Sequence, residues 1–141
     1  MYVQAWAVEL GISPYEPGPW STNVWDTAYD NGQLDYFSSL SEKGRYSVLT
    51  GYLEFVLQNK SIKNNGSVLD VGCGAGLLYE RCQHLDFKQW TGVDLSESAI
   101  AQAQDVLNNH ADHRVNFIAE NMLSPNTIWS DTTYDLSLIH I

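Results

Sequence analysis

The stretch Val68-Leu69-Asp70-Val71-Gly72-Cys73-Gly74-Ala75-Gly76 reads as a buried strand that ends in an acidic residue and a glycine-rich turn. Val68 and Val71 are β-branched and suit a strand covered on both faces. Glycines at 72, 74 and 76 remove the Cβ atoms that would hold a ligand away from the backbone. The pattern predicts a helix over Leu77 to Cys82 whose first amides point into the same crevice. An acid two residues before Gly-x-Gly-x-Gly is a far narrower signal than a bare pair of glycines. At the C-terminal end of a parallel strand, such a turn makes a site for a nucleoside cofactor. The bland alternative is a tight strand–helix turn with no ligand, for which the glycines and the acid serve no packing need.

Two cofactor classes use a turn of this kind, and spacing separates them. The dinucleotide fingerprint Gly-x-Gly-x-x-Gly needs a third glycine at Leu77 when counted from Gly72, or at Tyr79 when counted from Gly74. It fails in both registers. Asp70, ahead of the first glycine, suits a ligand that carries an ammonium group and no pyrophosphate. The run Asp70 to Gly76 resembles motif I of the class I S-adenosylmethionine-dependent methyltransferases. That resemblance implies S-adenosylmethionine as cofactor, with Asp70 anchoring the methionine ammonium directly or through water. It implies also that Gly72, Gly74 and Gly76 let the cofactor lie against the backbone.

Gln89-Trp90-Thr91-Gly92-Val93-Asp94-Leu95-Ser96 runs apolar into Asp94 and then meets a serine suited to cap a helix. An acid at the end of a second strand can accept hydrogen bonds from both ribose hydroxyls. The Gly-x-Asp-x-Ser element of the same family does that job, so the resemblance gives Asp94 the ribose and places Leu95 in the cofactor site. Asp94 serving only as a helix cap is the plain alternative, and Ser96 reads as a cap. Arg114 to Met122 alternates like a half-buried strand. The family ends this strand with Gly-Asp, where Asp accepts from the adenine amine. Here Glu120-Asn121 stands in that place, and an Asn carbonyl oxygen can accept the same bond. Met122 would lie against the adenine ring or in the core.

Composition limits the function further. The chain has 141 residues, a net charge of −10 and only 7 Lys and Arg. Such a balance repels polyanions, so no nucleic-acid partner is expected. The 2 cysteines, Cys73 and Cys82, give neither a disulfide framework nor a metal cluster. Cys73 reads as a small filler in the turn. His84, His110, His113 and His140 lack metal-ligand spacing and read as surface residues. There is no apolar run of membrane-spanning length and no basic region ahead of a signal-like segment, which predicts a cytoplasmic protein.

Residues 1–60 have a different texture and read as an N-terminal lid and helix, with 61–141 a partial cofactor domain. Tyrosines and tryptophans crowd residues 1–36, and Pro14, Pro17 and Pro19 prevent a continuous helix. A helix is predicted from Phe37 to Asn59 with Leu49, Tyr52, Leu53, Val56 and Leu57 on one face. Asn64-Asn65-Gly66 reads as the turn into the first strand. Trp25-x-x-x-Tyr29, Leu34-Asp35-Tyr36 and Arg45-Tyr46 resemble the lid region of small-molecule methyltransferases, which implies Tyr29 and Tyr46 as lid residues. Covering a sheet edge is the alternative role for these aromatics. A helix from Ser96 to about Asn109 presents Ile100, Ala103 and Leu107 to the core, and Tyr134-Asp135-Leu136 opens a fourth strand.

The alternation predicts an α/β fold with a Rossmann-like doubly wound parallel sheet. The family has seven strands, so the resemblance implies an N-terminal fragment that ends in or just after the fourth and is inactive alone. A sheet ending there would expose a strand edge prone to aggregation. Leu136-Ser137-Leu138-Ile139-His140-Ile141 is also what CTG TCT CTT ATA CAC ATC, resembling a transposase library adapter, would encode. The expectation is native sequence ending near Asp135, with a native strand as the competing reading. Different codons for these residues would remove the adapter reading. The function expected is methyl transfer to an O, N or C nucleophile of a small molecule, with no general base assignable. The alternatives are an NAD(P)-dependent oxidoreductase, disfavoured by the glycine spacing, and a non-catalytic nucleoside-binding or interaction module.

Overall fold

A computed structural model describes residues 21–58, 66–108, 112–121 and 132–139. Expectations on residues 1–20, Asn64, Asn65, His110, Met122 and His140 lie outside these residues. The element order is α1 (Thr22–Asp30), a 3₁₀ turn (Asp35–Ser38), α2 (Leu40–Leu57), β1 (Ser67–Val71), α3 (Leu77–Cys82), β2 (Gln89–Asp94), α4 (Glu97–Asn108), β3 (Val115–Ala119) and β4 (Leu136–Ile139). All strand pairs are parallel and the order is β3-β2-β1-β4. The chain builds outward from β1 through β2 to β3, then returns to the other side of β1. That reversal is the doubly wound pattern expected, and it opens a crevice beyond the carboxyl ends of β1 and β4.

Strand neighbours in register share a face, because side chains alternate along each strand. Val68, Trp90 and Val115 are such neighbours, as are Gly92 and Phe117. On this face Val68, Trp90, Val115 and Phe117 pack with Tyr46, Leu53 and Leu57 of α2, with Leu78, Tyr79 and Cys82 of α3, and with Ile100 and Ala103 of α4. The Tyr79 ring stands edge-on to Phe87 and Phe117, at centroid distances of 6.4 and 5.7 Å. Such edge-to-face contacts add to simple area burial. Leu69, Val71 and Val93 form a smaller cluster with Tyr134 on the opposite face.

Two expectations for α2 need correction. Its core line is Tyr46, Leu53 and Leu57, with Leu49 packed against it, while Tyr52 is 55% exposed. One residue turns a helix by about 100°, so a line through 46 and 53 carries position 52 off the core face. The helix begins at Leu40 rather than Phe37, because extended Ser39 (φ −67°, ψ 164°) separates it from the 3₁₀ turn. The strand expected up to Met122 ends at Ala119.

Two carboxylates fix the strand starts. Asp135 accepts the Ser67 backbone N–H at 2.7 Å and the Ser67 hydroxyl at 2.9 Å, clamping the start of β1 to that of β4. Asp112 takes two hydrogen bonds from the Arg114 guanidinium, at 2.9 and 2.8 Å. Arg114 donates another to the Phe87 carbonyl at 3.1 Å and stands 4.3 Å from the Phe87 ring centroid. The Arg114 bonds hold the Asp112 carboxyl below the ordinary carboxylate range. Its contribution to stability is therefore present above the unfolded pKa and lost as pH falls through the lower folded one. Arg114→Ala should cost about 2 kcal/mol at neutral pH, since charge-assisted bonds are worth more than neutral ones. The cost should shrink in acid, measured by urea unfolding across pH; an unchanged cost would show that the pair contributes nothing.

Candidate functional site

The site grows from the carboxyl ends of β1 and β2. The Gly72 and Cys73 amides both donate to the Val93 carbonyl, at 2.8 and 3.1 Å, so the turn folds back onto β2. Its glycines have positive φ (73°, 53° and 75° at 72, 74 and 76) and serve different ends. A Cβ on Gly74 would strike the Tyr29 hydroxyl, so this position faces the N-terminal helix α1 across the crevice. A Cβ on Gly76 would lie 3.2 Å from both Ala103 and Phe117, so Gly76 lets the turn pack closely against α4 and β3.

Asp94 ties the two strand ends together. Its Oδ2 accepts the Gly74 N–H at 2.8 Å and its Oδ1 accepts the Ser96 N–H at 3.0 Å. The side chain thus does more than cap a helix: it also fixes the glycine turn. Burial pushes the Asp94 carboxyl above the ordinary carboxylate range, with the Ser96 and Gly74 amides pulling the other way. A carboxylate has about four lone-pair sites. The Gly74, Ser96 and Leu95 amides all bear on it, and the acceptor capacity that remains can serve a ribose hydroxyl. Ser96 caps α4, accepting the Ala99 N–H on its hydroxyl at 3.1 Å.

The other predicted residues take the following places. Asp70 lies fully buried at the end of β1, opposite Gly92, and its charge acts on both Cys73 and Asp94. Burial, then Asp70 and Asp94, push the Cys73 thiol well above its ordinary value, which fits a filler and opposes a nucleophile. Leu95 is half-buried beside Asp94, and Asn121 is exposed two residues past β3. The Glu120 amide donates to the Asp94 carbonyl at 2.8 Å, so the β3 end is drawn to the same crevice.

Of the expected lid residues, Tyr29 lies over the glycine turn at Gly74, whereas Tyr46 packs in the core. The Tyr29 phenol is pushed up by burial first, then by Asp94, Cys73 and Tyr46. Tyr46 is buried in the core, with the Arg81 and Arg45 guanidinium carbons 4.4 and 5.0 Å from its ring centroid. Sequence reasoning missed Asp26, which accepts the Ser96 hydroxyl at 2.6 Å and the Ser98 N–H at 3.1 Å. Its only signal was a position one helical turn ahead of Tyr29. His84 and His113 are exposed, and no group of His, Cys, Asp and Glu able to hold a metal occurs among the described residues. No helix among them is long and apolar enough to cross a membrane.

A parallel sheet that reverses at β1, a positive-φ glycine turn at the switch point and an acid closing β2 define a nucleoside-cofactor-binding α/β domain. The chain belongs to the methyltransferase domain family, whose model matches residues 68–141, and it carries a class I domain of the type that uses S-adenosylmethionine. It is 32% identical over 94 residues to protein arginine N-methyltransferase 1 of Schizosaccharomyces pombe, covering 62% of this chain and 28% of that protein. It is 24% identical over 106 residues to EEF1A lysine methyltransferase 2 of Danio rerio, covering 73% and 45%. The chain therefore spans less than half the length of these relatives. Among solved structures, the methyltransferase domain of bacterial CtHen1-CN has the same fold (TM-score 0.53, 24% identity, 68% of this chain and 48% of that one). So does the plantazolicin methyltransferase BamL, crystallised with a triazolic desmethylPZN analog and SAH (TM-score 0.51, 22% identity, 71% and 36%).

Proposed function

We propose that this chain binds S-adenosylmethionine in the crevice at β1 and β2, and that the protein methylates an O, N or C nucleophile of a small molecule in the cytoplasm. The observation that carries the cofactor assignment is Asp94, held between the Gly74 and Ser96 amides with acceptor capacity to spare. Asp94 would hold the ribose hydroxyls and Leu95 would flank them. Asn121 would accept from the adenine amine, with Met122 beside the ring. The glycine turn would admit the methionine portion. Asp70 is fully buried, and its negative charge favours the cofactor's ammonium through the low-dielectric turn or through a water. When bound, the cofactor supplies a methyl group on a cationic sulfonium, which an acceptor attacks in line.

This chain's own part is to position and to exclude water. Tyr29 covers Gly74, and Tyr46 anchors α2 behind it. A net charge of −10 supports a small acceptor over a polyanion. The names of the lysine and arginine methyltransferase relatives favour a second reading, a protein acceptor. Calorimetric titration should show saturable binding of S-adenosylmethionine and S-adenosylhomocysteine and none of NAD. Binding of NAD alone would replace the reading with an oxidoreductase. Labelled methyl appearing in protein rather than in small molecules, in a cell extract, would favour the second acceptor class.

A further inference from the structure

Two side chains of helix α1, one turn apart and so on one face, reach across to the glycine turn and to α4. Tyr29 sits against Gly74, and Asp26 reaches the first turn of α4. Between them runs a closed circuit of contacts. The Gly74 amide donates to Asp94, the Ser96 amide donates to the other oxygen of Asp94, and the Ser96 hydroxyl donates to Asp26. Ser96 is fully buried, and the same hydroxyl oxygen accepts the Ala99 N–H at 3.1 Å. Its single proton goes to Asp26 at 2.6 Å. The Ser98 N–H, an end group of α4 with no partner within that helix, goes to the same Asp26 oxygen at 3.1 Å. A carboxylate at this end of α4 is favoured by the helix dipole as well.

We propose that Asp26 is a positioning residue that latches α1 onto the first turn of α4, keeping Tyr29 over Gly74 and so closing the cofactor crevice. The latch and the ribose carboxylate share one serine, so closure and cofactor grip are mechanically joined. Asp26 acts through Tyr29 and Ser96. The effect on cofactor release rests on the S-adenosylmethionine reading above; the latch itself does not.

The test uses the whole chain with two readouts. Hydrogen exchange of residues 22–30 without ligand reports the latch, with β1 and β2 amides as the control for the fold. Stopped-flow displacement of S-adenosylhomocysteine reports closure. Asp26→Ala should lower α1 protection about tenfold and raise the dissociation rate about tenfold, with β1 and β2 unchanged. Asp26→Asn keeps an oxygen that can accept both bonds and should restore most of each loss. Ser98→Pro removes one donor at a position where proline is tolerated and should give a smaller effect of the same sign, about threefold. It serves also if Asp26→Ala fails to fold. Unchanged α1 protection in these variants overturns the latch. Lost protection with unchanged dissociation overturns its role in closure. Lost protection in a chain that binds no S-adenosylhomocysteine upholds the latch and removes the cofactor reading instead.

Discussion

Asp94→Ala should weaken S-adenosylhomocysteine binding by roughly 100-fold or more. The loss comes from the acceptor capacity that the side chain still has to give. Its oxygens already take the Gly74 and Ser96 N–H groups, and the Leu95 amide also acts on the carboxyl, so a ribose would use the acceptor capacity that remains. A hydrogen bond to a charged acceptor is worth about 1.5–3 kcal/mol, and two ribose hydroxyls can use it. At about 1.4 kcal/mol per factor of ten, losing both exceeds two decades. Asp94→Asn keeps one acceptor oxygen and should lose roughly tenfold. Because Asp94 also holds the glycine turn, thermal unfolding of the free variants must accompany the titration. Unchanged affinity in Asp94→Ala would remove the ribose role outright.

The pH dependence gives an independent check. Burial raises the Asp94 carboxyl above the ordinary range, so it takes up a proton earlier on acidification than an exposed aspartate would. Protonation removes the charge and an acceptor site, so affinity should fall as pH drops through that raised value. Stability of the free protein runs the opposite way. The folded state binds this proton more tightly than the unfolded one. Its stabilising contribution is therefore present at low pH and lost as pH rises from the unfolded to the folded pKa. A group showing both trends in the same window is the ribose acid.

Local patterns were legible in the sequence, and contacts across the chain were not. The apolar run into Asp94 marks β2 at Gln89–Asp94, and the glycine turn marks the start of α3 at Leu77, because each is written in consecutive residues. The Tyr29 side of the site was legible only through resemblance. Asp26 was invisible because its partners Ser96 and Ser98 lie 70 and 72 residues away, and an aspartate in a polar helix carries no period that points to them. Tyr52 misled for the converse reason. It fits an apolar stripe by spacing, but the actual core line of α2 was set by Tyr46, which packs beneath two arginines.

Gly92 was read only as a part of the Gly-x-Asp-x-Ser element, and the structure shows what it is for. It lies in mid-β2, between Asp70 of β1 and Phe117 of β3 in register. A Cβ there would overlap the Phe117 ring and come within 2.9 Å of the Cys73 sulfur. Neither neighbour can give way easily. Phe117 is 5% exposed and packs edge-on against Tyr79, while the Cys73 side chain is buried in the same core cluster. Overpacking a closed core costs typically about 1–3 kcal/mol, and two immovable neighbours put Gly92→Ala at the upper end, about 3 kcal/mol. Calorimetric or urea unfolding would measure it. Relief by Cys73→Gly should recover only the smaller share, since the ring is the closer obstacle, whereas Phe117→Leu should recover more despite its own cavity cost. If Gly92→Ala unfolds at the wild-type midpoint, the sheet has slack that this packing denies. If stability falls while cofactor affinity holds, the methyl has displaced the ring alone. Loss of both would show that the strain passes through Cys73 into the turn that carries Gly74.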